Sequence, residues 1–254
     1  MTALYRVGSR IFELGFRALA LDLRSQGHHH IPSTGPVILA SNHISYLDFA
    51  FVALAPPRPR REVRFLARNE FFEKRVVGTL LRKLGQIPVD VHGDARASAT
   101  AAQQALERGE VVGVHPEGTI SPSFVPRRAK SGTIRLADAT EVPIIPVAIW
   151  GSQRTLTKWR DPRPQRGAVV MVRYGEPYEP TGRTAMARSA DLMARIDELL
   201  GQVQRAYPQR PGPPPDDWWI PKHLGGSALS PEEADARIAE QMAERRASRR
   251  GEAA

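Results

Sequence analysis

Two periods run through the apolar and polar positions of this chain. Over residues 3–24 the period is helical: Leu4, Val7, Ile11, Leu14, Ala18 and Leu21 recur at intervals of three and four. Arg6, Arg10, Glu13, Arg17 and Arg24 fall on another face, so residues 1–24 are predicted to form a cationic amphipathic helix. Phe12 and Phe16 widen its apolar side. Such a stripe either packs on the rest of the protein or lies in a membrane interface, and the periodicity is the same in both cases.

Beyond a turn-forming "IPSTGP", short apolar runs take over. "VILA" (37–40), "VRFLAR" (63–68), "QIPVDV" (86–91), "VVGV" (111–114), the run within "EVPIIPVAIWG" (141–151) and that within "GAVVMVRYGEP" (167–177) read as strands. Helices are predicted to open near Ser45 and to span 70–85, 94–110 and 184–206, with Gly85 and Gly109 stopping two of them. The trio His28, His29 and His30 reads as a polar turn rather than a metal site. Strands alternating with helices predict one α/β domain over residues 25–206, with a largely parallel mixed β-sheet flanked by helices. Residues 207–254 form a tail. Its first half, "YPQRPGPPPDDWWIPKHLGG", is too rich in proline and glycine for regular structure, and Trp218 and Trp219 are expected to anchor it onto the domain. Ser230-Pro231-Glu232-Glu233 then opens a polar helix with capping-box spacing, basic at its end through Arg245, Arg246, Arg249 and Arg250.

Composition narrows the function. Of 254 residues, 36 are Lys or Arg and 27 Asp or Glu, giving a net charge of +9 and implying an anionic partner. There is no cysteine, which excludes disulfides, thiolate catalysis and cysteine-ligated metals. No run approaches the roughly 18 apolar residues of a membrane-spanning helix. Charged residues also interrupt the N-terminal stretch too often for a cleaved leader. Neither a helix-turn-helix, a zinc-ligand pattern nor an aromatic-rich basic strand supports nucleic-acid readout.

Two stretches carry candidate chemistry. In "SNHISYLDF" (41–49), His43 and Asp48 follow an apolar run. Residues five apart on one helix lie about 140° apart, so the pair converges only if His43 precedes the helix. With Ser45 capping the helix, His43 can fold back onto Asp48, which would fix its tautomer and leave the other nitrogen to take a proton from a substrate hydroxyl. The plain alternative is a capping box, Ser45-x-x-Asp48. In "VVGVHPEGTISPS" (111–123), Glu117, Gly118 and Thr119 form a turn just after a strand, where α/β sheets bind ligands. An ordinary polar β-turn is the alternative.

Together these stretches resemble the 1-acylglycerol-3-phosphate acyltransferase family. "NHISYLD" (42–48) matches its N-H-x4-D signature and "HPEGT" (115–119) its F-P-E-G-T signature. "GQIPVD" (85–90) and "VPIIPVAIWG" (142–151) match two weaker blocks in the same order, so the resemblance covers roughly residues 28–175. The tail "PDDWWIPKHLGGSA" is similar to that of actinobacterial members. The resemblance implies a glycerol-3-phosphate acyltransferase-like fold and direct transfer of a fatty acyl group from a thioester to a lysophosphatidate-like acceptor in phospholipid biosynthesis. His43 would be the general base, Asp48 its orienting partner, and Glu117, Gly118 and Thr119 part of the acceptor site. No metal or cofactor is implied; coenzyme A or an acyl carrier protein brings the acyl group. Two family arginines are missing, with Val91 and Ile120 in their places. Arg127, Arg128 and Lys130 are the substitutes for contacting the acceptor's phosphate. His115 stands where the family has phenylalanine. The expected setting is peripheral, on the cytoplasmic face of the cell membrane against anionic lipid, without nucleic acid as a partner. The alternatives are another lipid acceptor, a thioester hydrolase, or a non-catalytic basic protein binding membranes or nucleic acid.

Overall fold

The computed structural model describes residues 2–58, 60–89, 95–160 and 164–252. Among the described residues, seven strands form one sheet in the spatial order β1-β7-β6-β2-β5-β3-β4. They are β1 (Asp22–Gln26), β2 (Val37–Ser41), β3 (Val63–Arg68), β4 (Ile87–Val89), β5 (Val111–Val114), β6 (Ile144–Trp150) and β7 (Val169–Tyr174). All neighbouring pairs are parallel except β6 and β7, which run antiparallel. This is the predicted α/β architecture, mixed at one edge.

The central strands are apolar on both faces because helices cover both faces. Along β2, Val37 and Leu39 enter one hydrophobic cluster while Ile38 and Ala40 enter the other. The first cluster takes in α1 (Ala3–Ala18), α2 (Asp48–Leu54) and the C-terminal part of α7 (Ala185–Ala206). The second takes in α5 (Ala95–Glu107), α6 (Gly132–Thr140) and the middle of α7. Helices α3 (Asn69–Glu73) and α4 (Arg75–Lys83) link β3 to β4, and α8 (Pro231–Glu252) ends the tail.

Three expectations change. The N-terminal helix stops at Ala18 instead of Arg24, and residues 22–26 become the edge strand β1 paired with β7. β1 was hidden because it is polar and half-exposed; its ladder to β7 holds it, not an apolar face of its own. The helix predicted over 70–85 is broken at Lys74, whose backbone is extended (ψ 121°). The helix expected to open near Ser45 opens at Asp48. One alternative left open is also decided: the apolar stripe of the N-terminal helix is not its packed face. Tyr5, Gly8, Ser9 and Phe16 are buried, whereas Leu4, Val7, Ile11 and Leu14 are 42–62% exposed.

The tail packs as expected at Trp219, which is fully buried against Trp150 and Tyr207. His28–His30 form a short 3-10 turn, with His30 Nδ1 3.1 Å from the Tyr174 carbonyl. Val91 lies outside the described residues, as do the side chains of Arg245, Arg246, Arg249 and Arg250.

Candidate active site

Three adjacent parallel strands, β5, β2 and β6, end side by side, and the loops leaving them meet at one point. Carboxyl ends of parallel strands are where α/β sheets expose unpaired backbone and loop side chains. Here they deliver Asn42–Asp48 from β2, His115–Thr119 from β5 and Ser152–Thr157 from β6.

Asn42 fastens the β2 turn. Its buried amide donates to the Ile149 carbonyl (3.0 Å) and accepts from the Ile149 N–H (2.8 Å), replacing one more rung of the β2–β6 ladder. Thr157 Oγ1 donates to the Ile44 carbonyl, and Ser45 Oγ and Tyr46 N both donate to the Leu156 carbonyl. Ser121 N donates to the His43 carbonyl from the opposite side. The turn carrying His43 is thus tied to both neighbouring loops before any side-chain chemistry is considered.

Asp48 is fully buried as the first residue of α2. Its Oδ2 accepts from the Ile44 and Ser45 amides (2.7 and 2.8 Å) and lies 2.9 Å from His43 Nδ1. Its Oδ1 accepts from Ser152 Oγ at 2.6 Å. Burying a carboxylate costs several kcal/mol, and four donors, each worth about 1.5–3 kcal/mol to a charged acceptor, offset it. Ser45 does not cap the helix: its hydroxyl accepts from Leu47 N (3.2 Å) and donates to Leu156. Half of the capping box therefore forms: Asp48 reaches back to accept from the Ser45 amide, while the Ser45 hydroxyl binds Leu47 N instead of Asp48 N. His43 precedes the helix, so the 140° obstacle does not arise. Its Nδ1 faces Asp48, and Nε2 remains to exchange a proton.

Glu117 is buried between the β2 and β5 loops. Its two oxygens accept from the backbone amides of His43 (2.8 Å) and Arg127 (2.9 Å). Burial pushes its pKa up to about 8, against the lowering effect of those two amides. Gly118 follows with φ +69°, and the Lys130 stem lies across it: a Cβ there would sit 3.3 Å from Lys130 Cε. Thr119 is partly exposed beside this turn. Ile120 is buried at 3% exposure and so offers apolar packing at a place where the resemblance implied a cation.

The three candidate cations are not equivalent. Arg127 Nε and Nη2 both bind Asp235 of α8, at 2.8 and 2.7 Å. Arg128 and Lys130 are exposed. An open cleft of about 500 Å³ lies between residues 126–129 and α7, lined by Arg127, Arg128, Ala187, Ala190 and Met193 among others. His43 and Asp48 do not line it. Among the described residues no group of three or more His, Asp or Glu side chains is placed to hold a metal ion.

Sequence reasoning missed Ser152, the Asn42 tie and the contact that His115 makes. The His43 and His115 rings stack with centroids 4.0 Å apart and planes 4° from parallel. Gly151-Ser152 after an apolar run marked a turn, but nothing linear placed it against Asp48.

Comparison with known proteins matches residues 22–150, just over half the chain, to the family model described as acyltransferase. Over 185 residues the chain is 26% identical to a 1-acyl-sn-glycerol-3-phosphate acyltransferase of Bacillus subtilis, covering 69% of this chain and 87% of that one. The alpha form of that enzyme from Mus musculus is 32% identical over 136 residues, covering 52% of this chain and 47% of its own. The crystal structure of the 1-acyl-sn-glycerophosphate acyltransferase of Thermotoga maritima superposes with a TM-score of 0.68 at 22% identity, covering 81% of each chain. That likeness is one of fold.

Proposed function

The chain belongs to the acyltransferase family, and on that premise we propose that it acylates the free hydroxyl of a lysophosphatidate-like acceptor with His43 as general base. It is an O-acyltransferase of phospholipid biosynthesis. The observation that carries the proposed mechanism is the Asp48 carboxylate, buried, four times hydrogen-bonded and 2.9 Å from His43 Nδ1. With Nδ1–H donated to Asp48, Nε2 holds the lone pair. It takes the acceptor hydroxyl's proton as the oxygen attacks the thioester carbonyl, and the departing thiolate receives a proton as the tetrahedral intermediate collapses. General-base assistance of this kind contributes about 10²–10⁴-fold.

Glu117, with both oxygens committed to backbone amides, acts as a tie between the His43 turn and the Arg127 segment. The acceptor's phosphate is assigned to Lys130 beside Gly118 and to Arg128, with Arg127 available once Asp235 lets go.

The acceptor is a lipid, and no described helix is long and apolar enough to cross a membrane. Peripheral docking through α1 supplies the encounter. Leu4, Val7, Ile11 and Leu14 stand out of the protein, with the likewise exposed Val76 and Val77 on the adjoining α4 and with exposed Arg6, Arg10 and Arg17 on the same helix. An apolar stripe edged by arginines matches an anionic bilayer surface.

The test is a product assay with labelled long-chain acyl-CoA or acyl carrier protein and a panel of lysophosphatidate, glycerol-3-phosphate and other lysophospholipids. Label should pass to lysophosphatidate, and His43→Ala should lose at least a hundredfold in kcat while staying folded. Free fatty acid as the only product would replace the reading with a thioesterase.

A further inference from the structure

We propose that His115 is a positioning residue for His43, an aromatic wall that holds the His43 ring in line with Asp48 and favours its charged form during proton transfer. The inference rests on the general-base reading of His43.

Three observations carry it. The two imidazoles lie face to face, 4.0 Å between centroids and 4° between planes, so His115 covers one whole face of His43. His115 is itself fixed: its Nδ1 lies 2.9 Å from Ser41 Oγ and 3.3 Å from the Ser41 carbonyl, within the strand that carries His43. Phe65 of β3 backs it from beyond, with ring centroids 5.4 Å apart. That backing is possible because residue 113, opposite Phe65 in the β3–β5 register, is glycine; a Cβ there would meet the Phe65 ring at 2.5 Å. Phe65, His115 and His43 thus form one column rooted in the sheet.

The charge logic follows from the column. Burial, and then the neighbouring His43, lower the pKa of His115 well below the usual histidine range, which favours its neutral form. In the general-base step the proton is taken by His43, so the developing charge lies over the His115 face. A cation lying over a neutral π face is stabilised, and an apolar side chain without a π face lacks that effect. Among the described residues, the other ionisable groups in contact with His43 are Asp48 on its own turn and Glu117 at its backbone amide. The β6 loop presents Ser152, Thr155 and Thr157 to this turn, none of which titrates.

The experiment compares His115→Phe with His115→Leu, and with His115→Met as a second apolar replacement of similar bulk. The ring resonances of His43, assigned by their loss in His43→Gln, are followed against pH by NMR in the substrate-free protein. The Phe variant should titrate with the wild type. The Leu and Met variants should titrate about half to one pH unit lower, as expected from losing a cation–π contact. In the acyl-transfer assay Phe should stay within about threefold of wild-type kcat. Leu and Met should fall about tenfold, with KM little changed. Identical titration of His43 in the Phe, Leu and Met variants would overturn the proposal, because a wall that only fills space does not distinguish them. The NMR arm needs no turnover, so failure of the catalytic assignment of His43 would show separately, as retained activity in His43→Ala.

Discussion

Ser152 Oγ donates to Asp48 Oδ1 at 2.6 Å, joining the loop after β6 to the first residue of α2 across 104 positions of sequence. Both residues are fully buried. Asp48 is thereby gripped from the side opposite His43, and the direction of the His43–Asp48 bond is set from two strands.

Ser152→Ala should therefore act through Asp48. Losing one hydrogen bond to a buried charged group costs about 1.5–3 kcal/mol. The bond orients Asp48 toward the charge that develops on His43, so to the extent that it strengthens in the transition state kcat falls, by up to about tenfold to a hundredfold, while acceptor KM changes little. Steady-state kinetics on the folded variant decide it, and an unchanged kcat removes Ser152 from the positioning set.

Glu117 gives the protein a pH signature. Its carboxyl titrates near 4.5 in an unfolded chain and at about 8 in the folded one. Between those values the native state holds a proton that the unfolded state has released, so stability falls as pH rises, by at most about 1.4 kcal/mol per pH unit. The contribution is whole below pH 4.5 and gone above pH 8. Chemical denaturation of wild type and Glu117→Gln between pH 4 and 9 should show this slope in the wild type and a flatter curve in the variant. Parallel curves would mean that burial does not dominate at Glu117.

Asp235→Ala should free Arg127 for substrate. The pair is exposed on the Asp235 side (62%), so losing it costs the fold no more than about 1 kcal/mol. A severalfold lower KM is expected for phosphate-bearing acceptors and no change for a phosphate-free monoacylglycerol. Equal effects on both acceptors would mean that Arg127 does not meet the phosphate.

The exposed face of α1 is testable by charge. Ile11 and Leu14 are 54% and 62% exposed, so Ile11→Asp with Leu14→Asp should leave the circular dichroism spectrum and melting temperature nearly unchanged. Each apolar side chain buried in a bilayer interface is worth about 1.5–3 kcal/mol, so binding to anionic vesicles should drop at least tenfold. Undiminished sedimentation with vesicles would move the docking surface elsewhere.

By itself the sequence determined the α/β alternation and the central strands, and it marked His43 and Asp48 as a candidate pair. Each is a local property: an apolar run of strand length, a turn glycine, two residues of one turn. The capping-box spacing at Ser45 was visible too, and its Asp48-to-Ser45 half forms, but the Ser45 hydroxyl binds Leu47 N and the helix opens at Asp48 instead. The polar strand β1 left no mark because its stability comes from the ladder to β7, nearly 150 residues away. Periodicity showed that α1 is amphipathic; only the positions of α2 and α4 decided that Tyr5, Gly8 and Phe16 face inward and Ile11 and Leu14 face out. Ser152, His115 and the Asp235 hold on Arg127 are likewise products of strand order, which brings the ends of β5, β2 and β6 together and lays the tail across the loop after β5. Side-chain period is written along one segment, but adjacency in a parallel sheet arises from crossovers, and a crossover leaves no trace in either of the segments it joins.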